Sequence, residues 1–124
     1  KRLSRWERVT LASAKQCGSG RVPEVSGIVP YAEALGRAAE HEGKIIFYEG
    51  EGPFSLKRVL SGLGGVRNVA LIVGPEGGFS PDEVRDAIAA GCRCAGLGSR
   101  ILRVETAALA VLAMVMYHFE KESL

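Results

Sequence analysis

Histidine and cysteine are scarce in this chain of 124 residues, and their scarcity disfavours several chemistries at once. The two histidines, His41 and His118, stand away from the glycine-rich loops and offer no acid–base partner there. The cysteines, Cys17, Cys92 and Cys94, form an odd and poorly spaced set, which suits a reducing cytoplasm better than a disulfide framework. Cys92 and Cys94 flank a single residue and lack further ligands nearby, so a zinc site is not expected. No apolar run is long enough to cross a bilayer, the longest spanning 107–117, and no signal-peptide pattern is visible. Strong charge of one sign is also missing, the net charge being +2. A hydrophobic content of 47% is enough for one compact domain and too little for two.

What is present is unevenly arranged. Residues 1–22 carry Lys1, Arg2, Arg5, Arg8, Lys15 and Arg21 against Glu7, a local balance of +5, and the remainder sums to −3. A basic arm on a near-neutral body points to a polyanion, although a solvated helix face explains the same charges when they stand alone. Residues 3–16 read as a helix with Leu3, Trp6, Thr10 and Ala14 on one face and Lys1, Arg5 and Arg8 on another. The stretch RVPEVSGIVP reads as a loop or edge strand, because Pro23 cannot donate to a ladder. A helix follows over 30–42, then the strand KIIFYE, a short helix SLKRVLSGL capped by Ser55, and a strand over 69–73 that reads as buried on both faces.

After that strand comes the loop GPEGG and then Ser80, Pro81 and Glu83, a capping box with proline at the first helical position, which starts a helix reaching about Gly91. CAGLG supplies another short strand. A second loop, GSRILRVE, leads into a helix over 105–120 that is apolar on every face and must be covered all round. The alternation of strands and helices predicts an α/β fold with a mostly parallel sheet and helices on both faces. A small domain rarely encloses a whole helix, so a homodimer is expected through the last one.

The loop GPEGG lacks the lysine of a phosphate-binding P-loop, and Gly74, Gly77 and Gly78 do not have dinucleotide-fingerprint spacing. Glu76 would repel a phosphate. A cationic or hydroxyl-rich ligand fits better, held by bare backbone groups. A tight turn with no ligand explains the glycines equally well, until the second loop places Gly98, Arg100 and Arg103 at the same end of the sheet. Guanidinium groups there suit RNA phosphate or a developing anion on a base.

The two stretches LIVGPEGGFSPDEV and LGSRILRVETAALAVL are similar to the paired motifs of the SPOUT-class methyltransferases that modify N3 of a uridine in 16S ribosomal RNA. AKQCG, RVPEV, AAEHEG and IIFYEGEG resemble other parts of the same family, so the likeness covers nearly all of the chain. The resemblance implies a C-terminal trefoil knot, S-adenosylmethionine as cofactor and a homodimer, and the residues themselves suggest no metal. It implies a cofactor site at Leu71, Gly74, Pro75, Glu76, Gly77, Gly78, Leu97, Gly98, Ile101, Leu102 and Arg103, with Glu105 and Thr106 closing the second motif. Arg103 would stabilise charge on the uracil oxygens, and Glu105, or second Glu76, would take the N3 proton; a structural role at the helix N-terminus explains Glu105 as well.

Gln16, Cys17, Gly18 and Arg21 match what looks like the family's RNA-facing stretch, which together with Arg5, Arg8 and Arg100 gives the expected contacts to ribosomal RNA. The family usually has Gly-Arg after the cysteine, where this chain has Gly18-Ser19. Family members also carry a PUA-like barrel and the first strand, helix and strand of the SPOUT domain, none of which precedes Lys1. The whole chain, 1–124, therefore reads as one SPOUT domain truncated at its N-terminus. Two other readings compete: a non-catalytic RNA-binding or dimerisation module that kept the fold, and a Rossmann-type nucleotide-binding domain.

Overall fold

The computed structural model describes residues 24–50, 54–75, 77–97 and 104–120, the first two of the last stretch by backbone alone. The chain divides into two compact units, 1–31 and 32–124. Of the first, 24–30 have no regular structure, which settles RVPEVSGIVP as a loop over its described part. The expected helix over 3–16 lies outside the described residues, as do all the basic residues of the arm.

Among the described residues the second unit has four parallel strands: β1 (Gly43–Phe47), β2 (Phe54–Ser55), β3 (Val69–Ile72) and β4 (Arg93–Gly96). Their lateral order is β2-β4-β1-β3. Gly43 stands opposite Val69 and Ile46 opposite Ile72, while Ile46 faces Cys94 and Phe54 faces Ala95. The helices are α1 (Tyr31–Ala38) before β1, α2 (Leu56–Ser61) between β2 and β3, α3 (Pro81–Ala89) between β3 and β4, and α4 (Val104–His118) after β4; β1 passes to β2 without one. Parallel neighbours need such crossovers, so the αβ alternation in the sequence is what makes the sheet parallel.

Side chains alternate across the pleat, and that alternation organises the core. Ile45 and Phe47 join Leu56, Val59 and Leu60 of α2, Ala95 of β4, and Val111 and Val115 of α4 in one buried cluster. Ile46, between them in β1, is completely buried as well, and by the pleat it points to the opposite face. α3 buries Val84 and Ala87 and packs against β4. Its start is as the sequence predicts: the Ser80 hydroxyl accepts from Glu83 N–H at 3.1 Å, and the Glu83 carboxylate accepts from Ser80 N–H at 2.8 Å. α2 begins in a similar way, with the Ser55 hydroxyl accepting from Arg58 N–H at 3.3 Å.

Two expectations are corrected. Among the described strands β3 lies at an edge, and each of its four residues is only half-buried. Its apolar run suits a strand covered on both faces, yet its residues keep partial exposure, and β4 pairs on the other side of β1, which leaves β3 one neighbour among the described strands. β2 has no counterpart in the sequence reading, because two residues are too few to show alternation. The helix expected over 30–42 is shorter, since the chain turns after Ala38.

The amino ends of β1 and β3 are fastened together. Glu42 accepts from the Arg67 backbone N–H at 2.6 Å and from the Arg67 guanidinium at 3.1 to 3.3 Å. Asn68 Oδ1 in turn accepts from Glu42 N–H at 2.7 Å. The Arg67 side chain, then its backbone N–H, holds the Glu42 carboxyl below the usual carboxylate range. This clasp sits at the end of the sheet away from the glycine loop, which emerges where β3 finishes.

Candidate cofactor pocket

Because the described strands run the same way, the loops after β1 and β3 and Leu97 after β4 gather at one end. They enclose a pocket of about 370 Å³. Gly74, Pro75, Gly77 and Gly78 form one wall and Leu97 another, all five expected from the sequence. Ala107 and Val111 of α4 close its base with Phe47 and Val73. The volume is of the order that ligand sites of small-molecule size have.

The glycines are used in different ways. Gly78 adopts φ +73°, a left-handed conformation that a side chain would strain, and its N–H donates to the Pro75 carbonyl at 2.8 Å. Gly74 lies under the Phe79 ring, so that an added Cβ would come within 3.0 Å of it. An added Cβ at Gly77 would meet nothing within 4 Å. Bare backbone at Gly77 is thus not required by the fold itself and is available to a ligand.

Three lining residues, Tyr48, Glu49 and Gly50, follow β1 and escaped the sequence reading. Tyr48 packs on Gly50, where an added Cβ would collide with the ring at 2.3 Å. Glu49 is the only charged side chain in the described lining, and it is exposed. The sequence does carry a signal for them, since FYEGEG lies at the carboxyl end of a predicted strand, as do GPEGG and GSRILRVE. The chemistry is therefore apolar walls for a flat ring, open backbone at Gly77 and one carboxylate suited to a cation. Nothing in the described lining is equipped for phosphate.

Leu71 lies within β3, half-buried against the core cluster and two residues short of the wall. Glu76, Gly98, Arg100, Ile101, Leu102 and Arg103 lie outside the described residues, as does the side chain of Glu105, whose backbone belongs to the first turn of α4. The expected RNA contacts Arg5, Arg8, Gln16 and Arg21, with Cys17 and Gly18, also lie outside them. Cys92 and Cys94 are at the opposite end of β4; burial pushes both thiols up, with Lys44 opposing weakly at Cys92.

A parallel α/β unit whose loops wall a glycine-rich pocket at the carboxyl ends of its strands is a small-molecule-binding domain of the open-sheet class. The chain belongs to the RNA methyltransferase domain family, whose profile matches residues 1–116. It is 35% identical over 112 residues to the ribosomal RNA small subunit methyltransferase E of Mesomycoplasma hyopneumoniae, covering 90% of this chain and 47% of that protein. It is 30% identical over 124 residues to the Bacillus subtilis protein of the same name, covering 97% and 48%. The chain thus spans about half the length of the curated relatives it matches.

Two solved structures are similar in fold. A methyltransferase of Legionella pneumophila with bound S-adenosylmethionine superposes with a TM-score of 0.82 at 30% identity, covering 94% of this chain and 46% of that one. The ribosomal RNA small subunit methyltransferase E of Neisseria gonorrhoeae, also bound to S-adenosylmethionine, gives 0.79 at 34%, covering 94% and 47%.

Proposed function

We propose that this chain is the cofactor-binding part of an S-adenosylmethionine-dependent methyltransferase that modifies N3 of a uridine in 16S ribosomal RNA. The observation that carries the reading is the pocket of about 370 Å³ at the carboxyl ends of the strands, with bare backbone at Gly77 and a single carboxylate in its described lining. The ligands bound in the Legionella and Neisseria proteins support it. The residues fit the cofactor: Leu97 and Val73 offer apolar contact, Gly77 offers open backbone, and Glu49 offers charge complementary to a sulfonium or ammonium.

When bound, S-adenosylmethionine supplies an activated methyl group, so the protein's task is positioning and exclusion of water. Arg103 is assigned to stabilise charge on the uracil oxygens and Glu105 to accept the N3 proton, with Glu76 as second choice. Arg5, Arg8, Gln16, Arg21 and Arg100 are assigned to the RNA. The reading includes a trefoil knot, cytoplasmic location and a homodimer joined through α4. Leu109, Leu112, Met116 and Tyr117 support the dimer, since they leave an apolar face of that helix exposed.

Calorimetry with S-adenosylmethionine tests the pocket directly. Gly77→Val should weaken binding at least about tenfold, roughly 1.4 kcal/mol, while leaving the melting temperature unchanged. Equal affinity in the variant and the parent chain would overturn the assignment.

A further inference from the structure

Five arginines lie among the described residues. Arg37 pairs with Glu33, Arg67 with Glu42 and Arg85 with Asp82. The other two, Arg58 and Arg93, have no carboxylate partner among the described residues, and both line one recess of about 520 Å³. It lies between α2, the edge strand β2 and the start of β4. That is the end of β4 opposite the cofactor pocket.

The rest of the lining is mostly apolar. Phe54 and Ile88 contribute surfaces that are 53% and 52% exposed. The Arg58 guanidinium lies over the Phe54 ring, 4.4 Å from its centroid, which fixes the cation in place without neutralising it. The Arg93 guanidinium lies against Gly62, where an added Cβ would come within 3.2 Å of it. Two positioned cations beside exposed aromatic and aliphatic surface call for a ligand that is anionic at one end and flat and apolar at the other. A free phosphate would leave Phe54 and Ile88 wet, and an acidic peptide joins an anion to a flat face only where an aromatic side chain happens to lie beside a carboxylate. A nucleotide unit of an unpaired strand has both parts.

We propose that this recess holds one nucleotide of single-stranded RNA, with its phosphate on Arg58 and Arg93 and its base against Phe54 and Ile88. The choice of RNA rests on the methyltransferase reading. The recess adds an anchoring contact remote from the transferred methyl group, so it serves placement of the strand and takes no part in the chemistry.

Fluorescence anisotropy with labelled single-stranded decauridylate over a range of salt concentrations tests it, with S-adenosylmethionine calorimetry on the same samples. Arg58→Ala with Arg93→Ala should lower RNA affinity about tenfold and reduce the slope of log K against log salt by about 0.7, the loss of one phosphate contact. Phe54→Ala should lower affinity at least about fivefold with the slope unchanged. Both variants should keep the parent's cofactor affinity.

RNA binding by the double variant equal to that of the parent overturns the proposal. So does a parent chain that binds cofactor and no RNA, a result that leaves the cofactor pocket standing. Loss of self-association in Phe54→Ala, seen as a mass change in light scattering with RNA affinity intact, would assign the recess to a second copy of the chain instead. Absence of cofactor binding in the parent counts against the methyltransferase reading alone, because the RNA titrations are read independently.

Discussion

Single residues hold both ends of this sheet, and their contributions separate cleanly. Ser80 and Glu83 satisfy each other's backbone N–H groups at the start of α3. Ser80→Ala should therefore cost about 1 kcal/mol, read as a lower urea midpoint. At the other end, the Glu42 carboxyl lies below its unfolded value because of Arg67. A depressed carboxylate contributes stability above the ordinary carboxylate range and loses it as pH falls through the folded value. Glu42→Gln should thus be less stable than the parent at pH 7, with the difference closing in acid below the carboxyl's folded value. A constant difference in urea midpoint across that range would show that the clasp acts through shape and not charge. The capping box was legible because its geometry is fixed over four consecutive residues. The Glu42–Arg67 clasp was not, since it joins residues brought together only by the pairing of β1 with β3.

Among the elements, α4 shows most plainly what a pattern can and cannot say. Its sequence is apolar all round, and the fold covers only the side carrying Val111 and Val115, leaving Leu109 71% and Met116 65% exposed. Met116→Lys should yield a monomer if a second copy covers this face, or no change in mass if none does; light scattering at micromolar concentration decides between them. The strands taught a different lesson. KIIFYE and the run after Asn68 were recognisable by composition, but lateral order was not, and β3, read as covered on both faces, keeps partial exposure at an edge of the described strands. β2 and the Tyr48–Gly50 wall of the pocket were missed for related reasons. A two-residue strand has no periodicity, and the loop after β1 carries no isolated glycine motif to draw the eye. The first glycine loop, in contrast, is legible from its composition, and Gly74, Pro75, Gly77 and Gly78 line the pocket together with Leu97.

For the molecule as a whole, cofactor binding and catalysis should come apart. The described walls of the pocket lie within this chain, whereas the chain covers 47% of the Mesomycoplasma relative. Placing one uridine in line with a methyl donor demands more contacts than weak RNA affinity does. On small ribosomal subunits the chain should bind S-adenosylmethionine yet turn over at least about a hundredfold more slowly than a full-length relative. Equal turnover would show that 1–124 suffices.

The place of β4 also bears on how the protein is made. It is the last strand to leave the ribosome, yet it is inserted between β2 and β1. Until residues 93–96 emerge, β2 has no strand to pair with among the described elements, and β1 can recruit only β3. Assembly during synthesis must therefore wait, with the apolar surfaces of β1 and α2 open to chaperones or to neighbouring nascent chains until residues 93–96 have been made.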